Sequence, residues 1–251
     1  MKIKLFTIPN LITLSNLLCG AGSIVASLVY EDLTMAFVLI MAAAVCDFFD
    51  GFAARVLKQP SEIGVQLDSL ADMVSFGTAP AAAFYTLCGY FPSAVDDIWA
   101  GRLTEAMRFI PFIITAFSAL RLAKFNIDET QHEEFSGLTT TANAIFCGSF
   151  AMMCFEGGLV VWQEWIIALS IVMSALLVSP IRMFSFKMKS YGWKGNEVRW
   201  SFAIFAVLSL LLLRIYSIPF IIVIYIVVST VIWIIKKTKI SNNTNTTGCS
   251  K

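Results

Sequence analysis

Four aspartates, Asp47, Asp50, Asp68 and Asp72, fall within 26 residues of a chain in which charge is otherwise scarce. They lie in CDFFDGFAARVLKQPSEIGVQLDSLADMVSFG (46–77), flanked by long apolar runs. A carboxylate placed in hydrocarbon is costly, so acids in such a setting mark a functional site before anything else. Asp47 and Asp50 are three apart and Asp68 and Asp72 four apart. On helices, each pair therefore shares one face. Two such helices turned toward each other would bring four carboxylates into one small volume, where they repel. A hard divalent cation, or two, relieves that repulsion, and all-oxygen ligands suit magnesium or manganese. A plainer reading makes the acids two polar helix ends at a membrane surface. It gives no reason for Gly51, Arg55 and Gly64 set among them.

The apolar runs decide the class. Of 251 residues, 58 % are hydrophobic and 14 % charged, where a soluble domain carries about 25 % charge. The expected fold is an all-α, polytopic membrane bundle of about eight transmembrane helices. The spans are read at 8–29, 33–56, 64–88, 107–125, 139–156, 163–181, 200–213 and 217–235. Residues 1–237 form the membrane domain, and 238–251, polar around SNNTNTTG, read as a disordered cytoplasmic tail. The first acidic pair comes late in the second span and the second pair early in the third. A hairpin then puts all four on one membrane face. The six cysteines form no CxxC pair, and His132 is the only histidine. Zinc, haem and histidine-based triads are thereby excluded. No nucleic-acid partner is expected.

Basic residues set the orientation. With the N-terminus inside and eight spans, fifteen Lys and Arg fall on cytoplasmic ends and loops and three, Arg102, Arg108 and Arg214, on the other side. This predicts a multi-pass protein of the cell inner (cytoplasmic) membrane with its aspartates facing the cytoplasm. The first span opens with IPNLITLSNLLCG, in which Asn10, Thr13 and Asn16 recur at three-residue steps along one stripe. Such a stripe also serves as ordinary glue between membrane helices.

Asp47, Asp50, Gly51, Ala54, Arg55, Gly64, Asp68 and Asp72 together resemble the signature of the CDP-alcohol phosphatidyltransferases, with matching spacing throughout. The resemblance implies that Asp47, Asp50, Asp68 and Asp72 hold two divalent metals, Mg2+ or Mn2+, that grip the diphosphate of a CDP-linked lipid. It implies Asp72 as general base, Asp68 beside it in catalysis, and Gly51, Ala54, Arg55 and Gly64 against nucleotide and phosphates. A homodimer is a further expectation of the family.

Five stretches resemble the phosphatidylserine synthases of that family. They are IPNLITLSNLLCG, DSLADMVSFGTAPA (68–81), ALRLAKFNID (119–128), FSGLTTTANA (135–144) and SPIRMFSFK (179–187). In those enzymes the stripe that Asn10, Thr13 and Asn16 occupy lines the nucleotide site. The implied substrates are CDP-diacylglycerol and L-serine, and CMP is released. Arg121, Lys124, Arg182 and Lys187 are read as partners of the serine carboxylate or of phosphate. Arg182 is placed on serine and Arg121 on phosphate, in an assignment that can be exchanged. Each of the four also has an ordinary reading as a cytoplasmic edge residue. Thr139 and Thr141 stand where the serine pattern has prolines, a change expected to loosen the entry to the fifth helix. Two other readings remain open: the same transfer to another alcohol (glycerol 3-phosphate, an inositol phosphate or choline), and a divalent-cation transporter.

Overall fold

The computed structural model describes residues 5–58, 61–93, 104–127, 135–183 and 196–247. Helix α1 (Ile8–Leu28) begins with Pro9 in its first turn, where the missing N–H is no loss. Its polar stripe faces inward: Asn10, Thr13, Asn16, Gly20, Ser23 and Ser27 are buried, while Leu11, Leu18, Val25 and Leu28 are exposed. This inversion of the soluble pattern suits a hydrocarbon solvent, in which small and polar residues hold helices together. A tight turn leads to α2 (Leu33–Val56), capped by the Asp32 carboxylate on the Met35 amide. Ser23 Oγ donates to the Ala36 carbonyl oxygen and closes this hairpin.

The expected third span is a composite. Helix α3 (Glu62–Asp72), capped by Ser61, runs into a π-helical turn (Met73–Thr78) and then α4 (Ala79–Tyr90). Almost every residue of α4 is buried. Its Phe84 and Leu87 centre a core shared with Phe146, Cys147 and Ala151 of α6 (Thr140–Gly157) and Ile166 and Met173 of α7 (Gln163–Val178). Between α4 and α6 comes α5 (Ile113–Ile127), entered through a 3-10 turn (Ile110–Phe112). Helices α8 (Glu197–Leu213) and α9 (Ile218–Thr247), separated by a 3-10 turn (Arg214–Ser217), complete the bundle.

Four helical stretches are long and apolar enough to cross a membrane: Ile8–Leu28, Leu33–Val56, Thr104–Ile127 and Arg199–Ile235. The expectation of about eight spans is corrected accordingly among the described residues. The third is broken by the π turn and carries Asp68 and Asp72. The fifth, α6, carries Asn143, Ser149 and Glu156, and α7 is apolar but only 16 residues long. The seventh and eighth form one apolar stretch interrupted at Arg214. Helix α9 runs past Lys237 into the polar segment read from composition as a disordered tail. A helix already propagating adds residues at little cost.

Two short strands tie the chain together outside the helices. β1 (Phe135–Ser136) pairs antiparallel with β2 (Arg182–Met183), Ser136 opposite Arg182. The Gly137 amide donates to the Ile181 carbonyl oxygen and the Leu138 amide to that of Leu176. Gly137 has φ +80°, and a Cβ there would meet the Leu177 carbonyl oxygen. At the entry to α6, Thr139 Oγ1 accepts from the Ala142 amide at 3.2 Å. Such a cap contributes about 1 kcal/mol.

Candidate active site

The site lies at one end of the bundle, where the start of α1, the end of α2, α3, the end of α5 and the start of α6 meet. On α2, Asp47 and Asp50 stand roughly two and a half and one and a half turns before the helix end at Val56, followed by Gly51, Ala54 and Arg55. Ligand oxygens of Asp47, Asp50 and Asp68 lie within 4.8 Å of one another. Asp50 is 6 % exposed, and Asp47 and Asp68 are half-buried. Asp50 Oδ2 and Asp68 Oδ1 are buried without a hydrogen-bond partner. Three carboxylates this close, two of them with a buried oxygen lacking any donor, need a cation to offset their charge. Oxygen-only donors fit a hard divalent ion such as Mg2+ or Mn2+.

Asp72 stands outside that group of three but within electrostatic reach of all its members. Its Oδ1 accepts from Asn16 Nδ2 at 3.2 Å. Asn16 is fully buried, and its backbone carbonyl accepts from Ser75 Oγ at 3.0 Å. On the other side, the Arg121 guanidinium of α5 interacts with Asp72 and donates through Nη1 to Thr140 Oγ1 at 3.3 Å. Arg121 Nε is buried without a partner.

The remaining expected residues divide into two sets. Thr13 is buried beside Asp50, its hydroxyl donating to the Pro9 carbonyl oxygen. Asn10 packs against Gly64: a Cβ there would stand 3.3 Å from Asn10 Oδ1 and 2.9 Å from Ser61 Oγ. Gly51 faces open space, with nothing within 4 Å of an added Cβ. The Arg55 Nε donates to the Gly51 carbonyl oxygen. Ala54 is half-buried on the same helix. These residues gather around the carboxylates. Lys124 is exposed in the last turn of α5, and Arg182 is exposed on β2. The β1–β2 pairing brings Arg182 opposite Ser136, four residues before Thr140. Lys187 and His132 lie outside the described residues.

Ser75 and Thr140 are the site's unexpected members, and Asn16 of the expected stripe bonds Asp72. Asn16 continues the Asn10–Thr13 stripe, and that periodicity was its signal. The reach of Ser75 to α1 depends on the wide π turn, which no local pattern announces. Ser69 of α3 and Asn126 of α5 also exchange hydrogen bonds at 2.9 and 3.2 Å, tying the acidic helix to the helix of Arg121.

A family model described as CDP-alcohol phosphatidyltransferase matches residues 6–176, which include every aspartate of the site and Arg121. Several curated proteins are similar. A CDP-diacylglycerol--serine O-phosphatidyltransferase of Bacillus subtilis (strain 168) is 33 % identical over 72 % of this chain and 91 % of its own length. The protein of that name from Helicobacter pylori (strain J99) is 28 % identical over 96 % of this chain and 97 % of its own. A third, from Methanocaldococcus jannaschii, is 32 % identical over 60 % of this chain and 63 % of its own.

Proposed function

The chain belongs to the CDP-alcohol phosphatidyltransferase family, and from that premise we propose that it transfers the phosphatidyl group of CDP-diacylglycerol to L-serine, giving phosphatidylserine and CMP. Transfer of a phosphatidyl group to an alcohol is the family's reaction. The observation that carries the reading is the group of three carboxylates with two unpartnered buried oxygens, set beside a fourth held between Asn16 and Arg121. The choice of serine is supported by the names of the relatives.

In this reading Asp47, Asp50 and Asp68 would hold one divalent ion, and Asp72, within electrostatic reach of all three, would help to hold a second. A bound divalent cation supplies charge neutralisation at the diphosphate and at the departing CMP. The bare Gly51 surface admits the phosphates, and Arg55 gives them charge-assisted hydrogen bonds. Asn10, Thr13, Ala54 and Gly64 line the nucleotide end. Asp72 keeps Oδ1 on Asn16 and uses Oδ2 to take the proton of the acceptor hydroxyl. An alcohol is a weak nucleophile until a base removes that proton. The hydroxyl oxygen then attacks the phosphorus of the phosphatidyl group, and the bond to the CMP oxygen breaks. Arg121, beside Asp72, holds the serine carboxylate, with Lys124 and Arg182 at the mouth for phosphate. This exchanges the roles that the sequence alone gives Arg121 and Arg182, because Arg121 is the one that reaches the base. The site faces the cytoplasm, where serine and CDP-lipid meet, and the chain works as a homodimer in the inner membrane.

The test is a choice of acceptors. Purified protein with CDP-diacylglycerol and Mn2+ or Mg2+ is expected to place radiolabelled L-serine in lipid, and only when CDP-diacylglycerol is present. Incorporation from glycerol 3-phosphate, an inositol phosphate or choline, with none from serine, would move the chain to another branch of the family.

A further inference from the structure

Asp72 accepts a side-chain hydrogen bond from α1, and it is the one aspartate of the four outside the tight group of ligand oxygens. The Asn16 amide donates to it at 3.2 Å. Two features hold Asn16 itself. Ser75 Oγ donates to its backbone carbonyl, and Gly20, one turn on, lets the backbone of Ser75 press against α1: an added Cβ at Gly20 would meet Ser75 Oγ and, at 2.6 Å, Ser75 Cα. Ser75 reaches α1 from the π turn that begins directly after Asp72. Such widened turns recur at functional sites because they re-aim the residues around them. Asn16 Oδ1 meanwhile is buried with no partner. A buried polar atom left unpaired is expensive. The amide is therefore kept in this place at a cost, with the donor end on Asp72.

We propose that Asn16 is a positioning residue, which fixes Asp72 as the base by holding its carboxylate apart from Asp47, Asp50 and Asp68. The inference rests on the transferase reading of the site. Without the Asn16 amide, Asp72 is free to turn toward the three-carboxylate group and bind the same cation. Proton removal from the acceptor then suffers, while cation binding does not. A purely structural role would weaken both together.

The experiment uses the full chain in nanodiscs. Three quantities are read for each variant: kcat and KM for CDP-diacylglycerol with serine, Mn2+ affinity by electron paramagnetic resonance, and thermal stability. Asn16→Leu is expected to lower kcat by roughly 10–100-fold, the range for losing an outer partner of a functional carboxylate. Its KM for CDP-diacylglycerol and its Mn2+ affinity are expected to stay unchanged, or the affinity to rise. Asn16→Gln, which keeps an amide, is expected to recover part of kcat. Ser23→Ala removes a hydrogen bond of the same helix to α2, away from the carboxylates, and is expected to keep kcat. Should Asn16→Leu fail to fold, Asn16→Ser carries the same comparison. The proposal is overturned by normal kcat in Asn16→Leu, by Mn2+ affinity falling along with kcat, or by an equal loss in Ser23→Ala. Absence of transfer by the wild-type protein would instead count against the transferase reading.

Discussion

Arg121 joins the two ends of the chemistry, since it interacts with Asp72 on α3 and donates to Thr140 on α6. Its Nε has no partner and is buried, so the guanidinium retains a donor for a ligand. If the serine carboxylate takes that donor, losing the guanidinium leaves a desolvated charge unpaired, at about 2–5 kcal/mol. Arg121→Ala is therefore expected to raise the KM for serine steeply while changing that for CDP-diacylglycerol much less, in initial-rate kinetics with both substrates varied. Equal rises in both would place the side chain on phosphate. The four aspartates were legible in the sequence because helical spacing alone makes each pair share a face. The bond from Asn16 to Asp72 was not, because it joins residues 56 apart and depends on how α1 lies against α3.

At the level of elements, the limits of α1 and α2 follow from the apolar runs and their caps, and the structure places them where the sequence does. The π turn after Asp72 and the β1–β2 pairing had no local signal. Two strands of two residues each, far apart in sequence, show neither alternation nor a hairpin turn. Gly137 is the position on which that pairing turns. Its positive φ and its contact with the Leu177 carbonyl oxygen both exclude a side chain. Gly137→Ala is expected to destabilise the protein by about 1–3 kcal/mol, read as a lower midpoint of thermal unfolding in detergent. Because β1 leads directly into Thr139 and Thr140, the same variant is expected to raise the KM for the acceptor. An unchanged midpoint would show that the pairing contributes nothing to stability.

The outer surface of the helices carries many large apolar side chains while the polar stripe of α1 is buried, so the solvent the molecule fits is lipid. Its two ends differ in chemistry. One holds the carboxylates. The other is closed by hydrogen bonds from Tyr90 to Glu31, and from Thr34 and Tyr216 to the two oxygens of Glu156. The proposed orientation puts the carboxylate end in the cytoplasm. A cysteine placed at Tyr30, in the α1–α2 turn, is expected to react with an impermeant maleimide added to intact cells, and one at Lys58 is not. The reverse pattern would invert the orientation. The central claim is that the clustered carboxylates, with a divalent ion, drive phosphatidyl transfer. Its most direct test measures CMP release from CDP-diacylglycerol in the presence of serine, by purified wild type and Asp68→Asn, after chelation and with Mn2+ restored. The account predicts release by the wild type that stops on chelation and returns with Mn2+, and none by Asp68→Asn, which is still folded in the membrane but binds Mn2+ more weakly. Metal-dependent release by Asp68→Asn at near wild-type rate would contradict it.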